Sequence, residues 1–327
     1  MNRYFAFSAA AVPILLSGCA ISPIQEEVTH VSTPVVVAQI RCETRDAMRG
    51  MMAAFLLEQT DDPIAVAKGK ELEDRKKPYS LIDLRPLASD LQFTITSYAK
   101  YAVTYDFTFD GTITNNINGS LTPTTTFGAG SRAFPFTAKL DRSRKNIQSF
   151  RETDTFGDLL KNTKSEYCPD PHQNVARNYI YPITGTIGVA KQLRDFMSLS
   201  YYSRLDAKEG PPTFTSTITF TTTVRGTADP TIVISPVLNS TTRSGGYGIT
   251  SERSDEHQVI VGFAAKASTM SDAEIAKFLA PGGGFNVLTG SKEEIASQKA
   301  VAESILRFQI GRQNGPVIVN QSLLSLF

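Results

Sequence analysis

The sequence predicts a mainly β, α+β fold: one-sided antiparallel sheet from two long alternating hairpin regions, packed by about four helices. Three observations predict it. Two stretches alternate apolar and polar residues for far longer than an ordinary strand, Thr and Ser are abundant while Trp is absent, and helical spacing is confined to shorter segments around them. With 41% hydrophobic and 20% charged residues, the chain has enough apolar material for a sizeable core.

The elements follow in order. Val35 to Ile40 is a short apolar run, and from Arg41 to Gln59 the residues Met48, Met51, Met52, Phe55 and Leu56 fall at helical intervals. A Met-rich core face is the expected use of this helix. Asp61-Asp62-Pro63 ends it, and the charged run Lys68 to Lys77 reads as a solvated loop or helix end. From Leu91 the period changes to two: Leu91, Phe93, Ile95, Tyr101, Val103, Tyr105, Phe107, Phe109 and Ile113 are odd, and polar residues dominate the even positions. One strand of that length exceeds the usual 3 to 10 residues, so a turn is expected inside it. A two-residue loop at Asp110-Gly111 would move the apolar face to even positions, whereas Ile113 and Ile117 stay odd. The turn is therefore expected at Asn115 to Gly119, or made of an odd number of residues.

Shorter strands are expected from Leu121 to Phe150, then a helical turn at Asp158 to Lys161, a rigid Pro-rich loop at 167–172 and a helix over Thr186 to Leu199. The second alternation starts at Thr213, with Phe214, Ile218, Phe220 and Val224 on one face and an unbroken run of odd threonines on the other. Gly245-Gly246 and Ser254-Asp255 read as turns and Gln258 to Phe263 as a closing strand. The regions 91–165 and 213–265 share this order of features, as a duplicated β unit would. Ser271 with Glu274, and Ser291 with Glu294, fit capping boxes that start helices Asp272 to Leu279 and Lys292 to Ile310.

The N-terminus carries the most specific signal. Arg3 supplies a positive start, Tyr4 to Leu16 is an apolar run too short to span a bilayer, and Leu16-Ser17-Gly18-Cys19 follows. This arrangement resembles a bacterial lipoprotein signal peptide with its lipobox. The resemblance implies cleavage after Gly18 and lipidation of Cys19. It also implies an outer-membrane address, lipid-anchored and facing the periplasm, because Ala20 is not the aspartate that retains such proteins at the inner membrane. The organisation expected is a signal peptide at 1–18, a lipidated tether at 19–34 and one globular α+β domain at 35–327.

Charge and chemistry exclude more than they select. Of 33 basic and 32 acidic residues, Arg3 leaves with the signal, so the mature chain is balanced and bulk binding of nucleic acid is not expected. Cys42 and Cys168 remain in a compartment that permits disulfides, and two readings stay open for them, a bridge or two buried thiols. Neither has a second Cys or His at metal-ligand spacing, and no metal or other cofactor is expected. The histidines are His30, His172 and His257. No G-x-S-x-G accompanies them, so a Ser/His hydrolase using His172 or His257 is the weakest functional reading and no catalytic residue is assigned.

Two readings are carried forward. In the first, the protein is a non-enzymatic structural or binding protein of the envelope, its partners being the membrane through the lipid and an envelope protein or further copies of itself. In the second, the alternating hairpins contribute strands to an oligomeric pore or secretion channel, as in the curli-secretion type of lipoprotein, since outer-membrane strands need about 9 to 11 residues.

Overall fold

The computed structural model describes residues 23–24, 26–29, 31–127, 130–163, 167–168, 182–202, 211–228, 231–234, 242–265, 270–282 and 291–312. The lipoprotein-like leader through Cys19, together with His30 and His172, lies outside the described residues. The helices are α1 (Glu26–Thr29), α2 (Thr33–Leu57), α3 (Pro63–Glu73), α4 (Ser89–Ala99), α5 (Phe156–Asn162), α6 (Val189–Tyr202), α7 (Asp272–Leu279) and α8 (Lys292–Arg312). The strands are β1 (Ala102–Phe127), β2 (Gly130–Ala133), β3 (Phe136–Thr155), β4 (Thr213–Ala228), β5 (Thr231–Ile234) and β6 (Thr242–Ala264). The α+β fold is therefore as expected, with more helix than the alternation suggests.

Several boundaries differ from the sequence reading, each for a physical reason. Val35 to Ile40 belongs to α2, which starts with Pro34 in its first turn, where the missing proline N–H costs no hydrogen bond. The charged run from Lys68 is largely helical, because Asp62 caps α3 by accepting from the Ile64 and Ala65 amides. Leu91 to Ala99 forms α4 and not a strand. Leu91, Ile95 and Ala99 are odd, but they are also four apart, so one helix face buries all three. The hydroxyls of Thr94, Thr96 and Ser97 bond back to carbonyls three or four residues earlier, which lets a Thr-rich stretch remain helical.

The expected turn at Asn115 to Gly119 is absent, and β1 runs unbroken for 26 residues. It lies between two strands of similar length, pairing with β3 from Ala102 to Leu121 and with β6 from Ala102 to Thr124. Ladders on both sides satisfy its backbone and remove the need for a break. The chain reverses after Phe127, which pairs with Gly130. Gly245-Gly246 and Ser254-Asp255 likewise lie within β6 and are not turns. A Cβ at Gly245 would sit 3.1 Å from the Ser120 carbonyl, so close strand approach explains that glycine.

The base of the sheet is ordered β3-β1-β6-β4, all antiparallel, and β2 and β5 extend the outer strands toward the far end. Its two faces are set by β1. Odd residues share a face with Phe150, Val259, Val261, Phe263, Phe214 and Ile218, and this face packs under the helical body. Phe196 of α6 stacks on Phe263 at 5.4 Å, and Phe156 at the start of α5 lies 6.4 Å from the same ring.

The even face of the base is covered by α8. Ser297 bonds to Thr104 at 2.7 Å and Gln298 donates to Thr153 at 3.2 Å. Glycine at 262 lets the helix lie this close, because a Cβ there would strike the Val301 side chain and sit 3.1 Å from the Ser297 carbonyl. Gly262→Ala is accordingly expected to lower stability by about 1–3 kcal/mol through overpacking, read from urea unfolding.

Polar and covalent links brace α2, and one of them reaches the sheet. Cys42 of α2 and Cys168 form a disulfide. Next to it, Arg41 makes a two-pronged ion pair with Asp154 of β3, at 2.7 and 2.6 Å, and its guanidinium lies over the Tyr167 ring. On the other side of α2, Glu43 accepts from the Ile187 and Gly188 amides just ahead of α6, where the helix dipole favours a carboxylate.

Candidate functional site

Beyond the body the sheet continues, and among the described residues only the segment 23–27 lies on its odd face, at the inner end. On the odd face three zones follow one another. Nearest the body is the core, ending at Phe109 and His257. Next comes a polar belt of Asp255, Arg253, Asn146, Arg144, Asn115 and Arg142, all in neighbouring ladder rows. Beyond it, Ile117, Leu140, Ile249 and Ala228 share a row, followed by Gly119, Ala138 and Tyr247, then Leu121, Phe136 and Gly245.

Ile117, Leu121, Phe136, Leu140, Tyr247 and Ile249 are between 41% and 62% exposed, and Phe134 stands exposed beside them. They form one contiguous apolar patch, the kind of surface that water-soluble monomers rarely show.

The even face over the same rows is hydroxyl and amide: Thr112, Thr114, Asn116, Asn118, Ser120, Thr122 from β1, facing Ser143, Thr137, Thr250, Ser254 and the odd threonines of β4. Its charges occur in pairs, Lys139 with Asp141, Lys145 with Asp110 and Arg225 with Glu252. Apart from Ile147 at its inner end, this face suits water. The sheet beyond the body is thus apolar on one side and wettable on the other.

The segment ahead of α1 crosses the odd face at the polar belt. Arg253 donates to the Ile24 carbonyl at 2.6 Å and to Glu27 at 3.0 Å, while its Nε holds the buried Asp255 at 2.8 Å. Asn146 donates to the Pro23 carbonyl, and a Cβ at Gly111 would sit 3.1 Å from that same oxygen. The stretch read as a tether at 19–34 is no free tether where it is described: Pro23, Ile24 and Glu27 are docked on the sheet, Val31 is in the core, and Thr33 and Pro34 belong to α2.

Of the histidines considered in the sequence, His257 is the one within the described residues. His257 is sealed against Phe109, ring centroids 5.3 Å apart, and burial pushes its pKa down to about 4 against the pull of Asp255. It is 2% exposed, and the lowered pKa favours the neutral imidazole near pH 7. Its folded value lies below the unfolded value of about 6.5, so its contribution is complete above that value and shrinks as pH falls toward 4. By pH 5 the loss is expected to reach about 2 kcal/mol. Urea unfolding at pH 7 and 5 checks this, because His257→Leu removes that part of the pH difference.

A basic cleft contains Arg45, Arg49, Arg75 and Lys161, but its cations are engaged. Arg49 donates to the carbonyls of Leu72, Glu71 and Asp74, closing the end of α3. Lys161, pushed by burial down to about 8, donates to Ala280 and lies over Tyr79 and Phe278. Among the described residues no cluster of metal-binding side chains occurs.

The family model for "Uncharacterised protein y4kA" matches residues 22–276. The chain belongs to the y4kA family. A y4kA protein of Sinorhizobium fredii (strain NBRC 101917 / NGR234) is 28% identical over 274 residues, which cover 81% of this chain and 84% of that one. Likeness to solved structures is slight. The Salmonella SPI-1 type III secretion injectisome secretin InvG (residues 176-end, open gate state) gives a TM-score of 0.17 at 10% identity, over 70% of this chain and 71% of that one. The InvG secretin domain β-barrel gives 0.15 at 9% identity, over 68% and 72%. Scores this low carry no argument about the y4kA fold or its role.

The sequence signal for the patch was available in β3. Phe136, Ala138 and Leu140 alternate with Thr137, Lys139 and Asp141, a short two-sided pattern that the neighbouring prolines and charges obscure.

Proposed function

We propose that this y4kA protein is an envelope lipoprotein whose outer sheet contributes strands to the wall of an oligomeric membrane channel. The observation that carries the reading is the one-sided sheet beyond the body, apolar on odd β1 positions and hydroxyl-rich on even ones. A membrane wall between lipid and water needs that division. Membrane β-strands need about 9 to 11 tilted residues; the apolar rows of the odd face run from Ile117 to Leu121, and the polar rows at 113 and 115 would have to lie at a membrane interface to complete that span. Aromatic Phe134, Phe136 and Tyr247 lie at its far end and Arg142 and Arg144 at its near end, as at two membrane interfaces. Four strands cannot close a barrel alone, so several copies are required.

The lipid anchor supports the same geometry. Pro23 is docked at the polar belt, and four residues of extended chain reach about 14 Å. A lipid on Cys19 would therefore enter the bilayer beside the apolar face, at the level where the patch begins. This favours the channel over a binding protein held away from the membrane, the other reading of the sequence. The outer-membrane address and the absence of enzymatic activity belong to this proposal.

Site-directed labelling tests it. Single cysteines at Ile117, Leu121 and Leu140 should resist a water-soluble maleimide in intact membranes, while cysteines at Asn118, Ser120 and Thr250 react. Equal reaction on both faces would return the sheet to water and leave the channel without support.

A further inference from the structure

Among the described residues the sheet ends in two long unpaired edges, and their directions prescribe how copies meet. Among the described residues no strand pairs with the outer side of β3, 20 residues long, or of β4, 16 residues long. Long uncapped edges are templates for pairing with another chain, and proteins that do not use them shorten or cover them. Across the sheet the strands alternate strictly: β4 leads away from the body, β6 returns, β1 leads away and β3 returns.

The geometry points to head-to-tail joining of identical copies, the β3 edge of one against the β4 edge of the next, closing into a ring. This rests on the membrane reading above. Lipid anchors on one leaflet hold every copy the same way up. A β3–β3 or β4–β4 contact between such copies would be parallel, in a sheet that is antiparallel throughout. Only β3 against β4 continues the alternation, and a repeat of four strands keeps the total even, as membrane barrels require. The contact is heterologous, using two different edges, so it propagates until the rotation closes. Within the ring the odd face of every copy points to lipid and the even face to the lumen, with α8 over the inner side of the base.

Disulfide crosslinking in native membranes tests the joint. Lys145 of β3 and Thr223 of β4 lie in one row of the even face. A strand tilt of 35–45° displaces the partner across the joint by about four residues from that level. Lys145→Cys is therefore combined in turn with Thr219→Cys, Thr221→Cys, Thr223→Cys and Thr227→Cys and oxidised with copper phenanthroline. The expected result is a ladder of multimers ending in one closed species, strongest for one pair, with no dimer from any single variant.

Dimers from the single variants, or no crosslink in any pair while the odd face is protected by lipid, would overturn the joint. A ladder from a sheet whose odd face reacts with aqueous maleimide would keep the ring and overturn the membrane reading, so the two failures are separable.

Discussion

If the outer sheet forms a channel wall as proposed, Leu140→Arg is expected to abolish channel current in planar bilayers and remove detergent-stable oligomers, whereas Asn118→Arg is expected to retain both. The two positions are close, since Leu140 pairs with Ile117 and Asn118 with Lys139, but they face opposite sides of the sheet. An arginine on the lipid side of a membrane strand costs about 2–4 kcal/mol near the midplane, and one in the lumen little. Repeated in every copy of a ring, that cost falls on insertion, not on the body, which is walled off from row 117 by the polar belt. Thermal unfolding of the body is therefore expected to be unchanged in both variants. Equal loss of current in the two would mean that the faces are not lipid and water.

Cys42→Ala is expected to lower the thermal midpoint by roughly 10 °C, and reducing the wild-type protein is expected to have the same effect. The bridge joins residues 126 apart, and closing a loop of that size in the unfolded chain is worth about 4–5 kcal/mol on the entropy model. For a chain of this size each kcal/mol moves the midpoint by about 2–4 °C. Cys42 is buried in α2 beside the Arg41–Asp154 pair, so losing the bridge also loosens the clamp between the helical body and the base of β3. A reductant that lowers the midpoint of Cys42→Ala as well would show that the effect does not pass through this bridge. Since the clamp is remote from the distal patch, oligomers formed at low temperature should survive the substitution.

The α+β class and the long one-sided alternation were legible because a paired strand and a period of two are the same physical fact. Capping chemistry was equally local: Ser271 and Glu274 make both bonds of their box, as do Ser291 and Glu294. Where two structures share a pattern, the sequence was ambiguous. Leu91, Ile95 and Ala99 fit either period, and only their burial against the body selects the helix. Strand length was misread for the opposite reason: ordinary strands stop when they leave a core, whereas β1 stays paired on both sides far past it.

The candidate site shows the same division. From the sequence alone, the N-terminal cysteine, the balanced charge and the sidedness of each strand are determined, since each depends on residue identity and spacing along the chain. That the apolar residues of β1, β3 and β6 form one patch was decided by tertiary structure. So was the polar belt that separates the patch from the core, and the docking of Pro23 on that belt. These depend on register between strands distant in sequence, which no local pattern encodes, and a shift of one residue would have turned the same side chains to the opposite face.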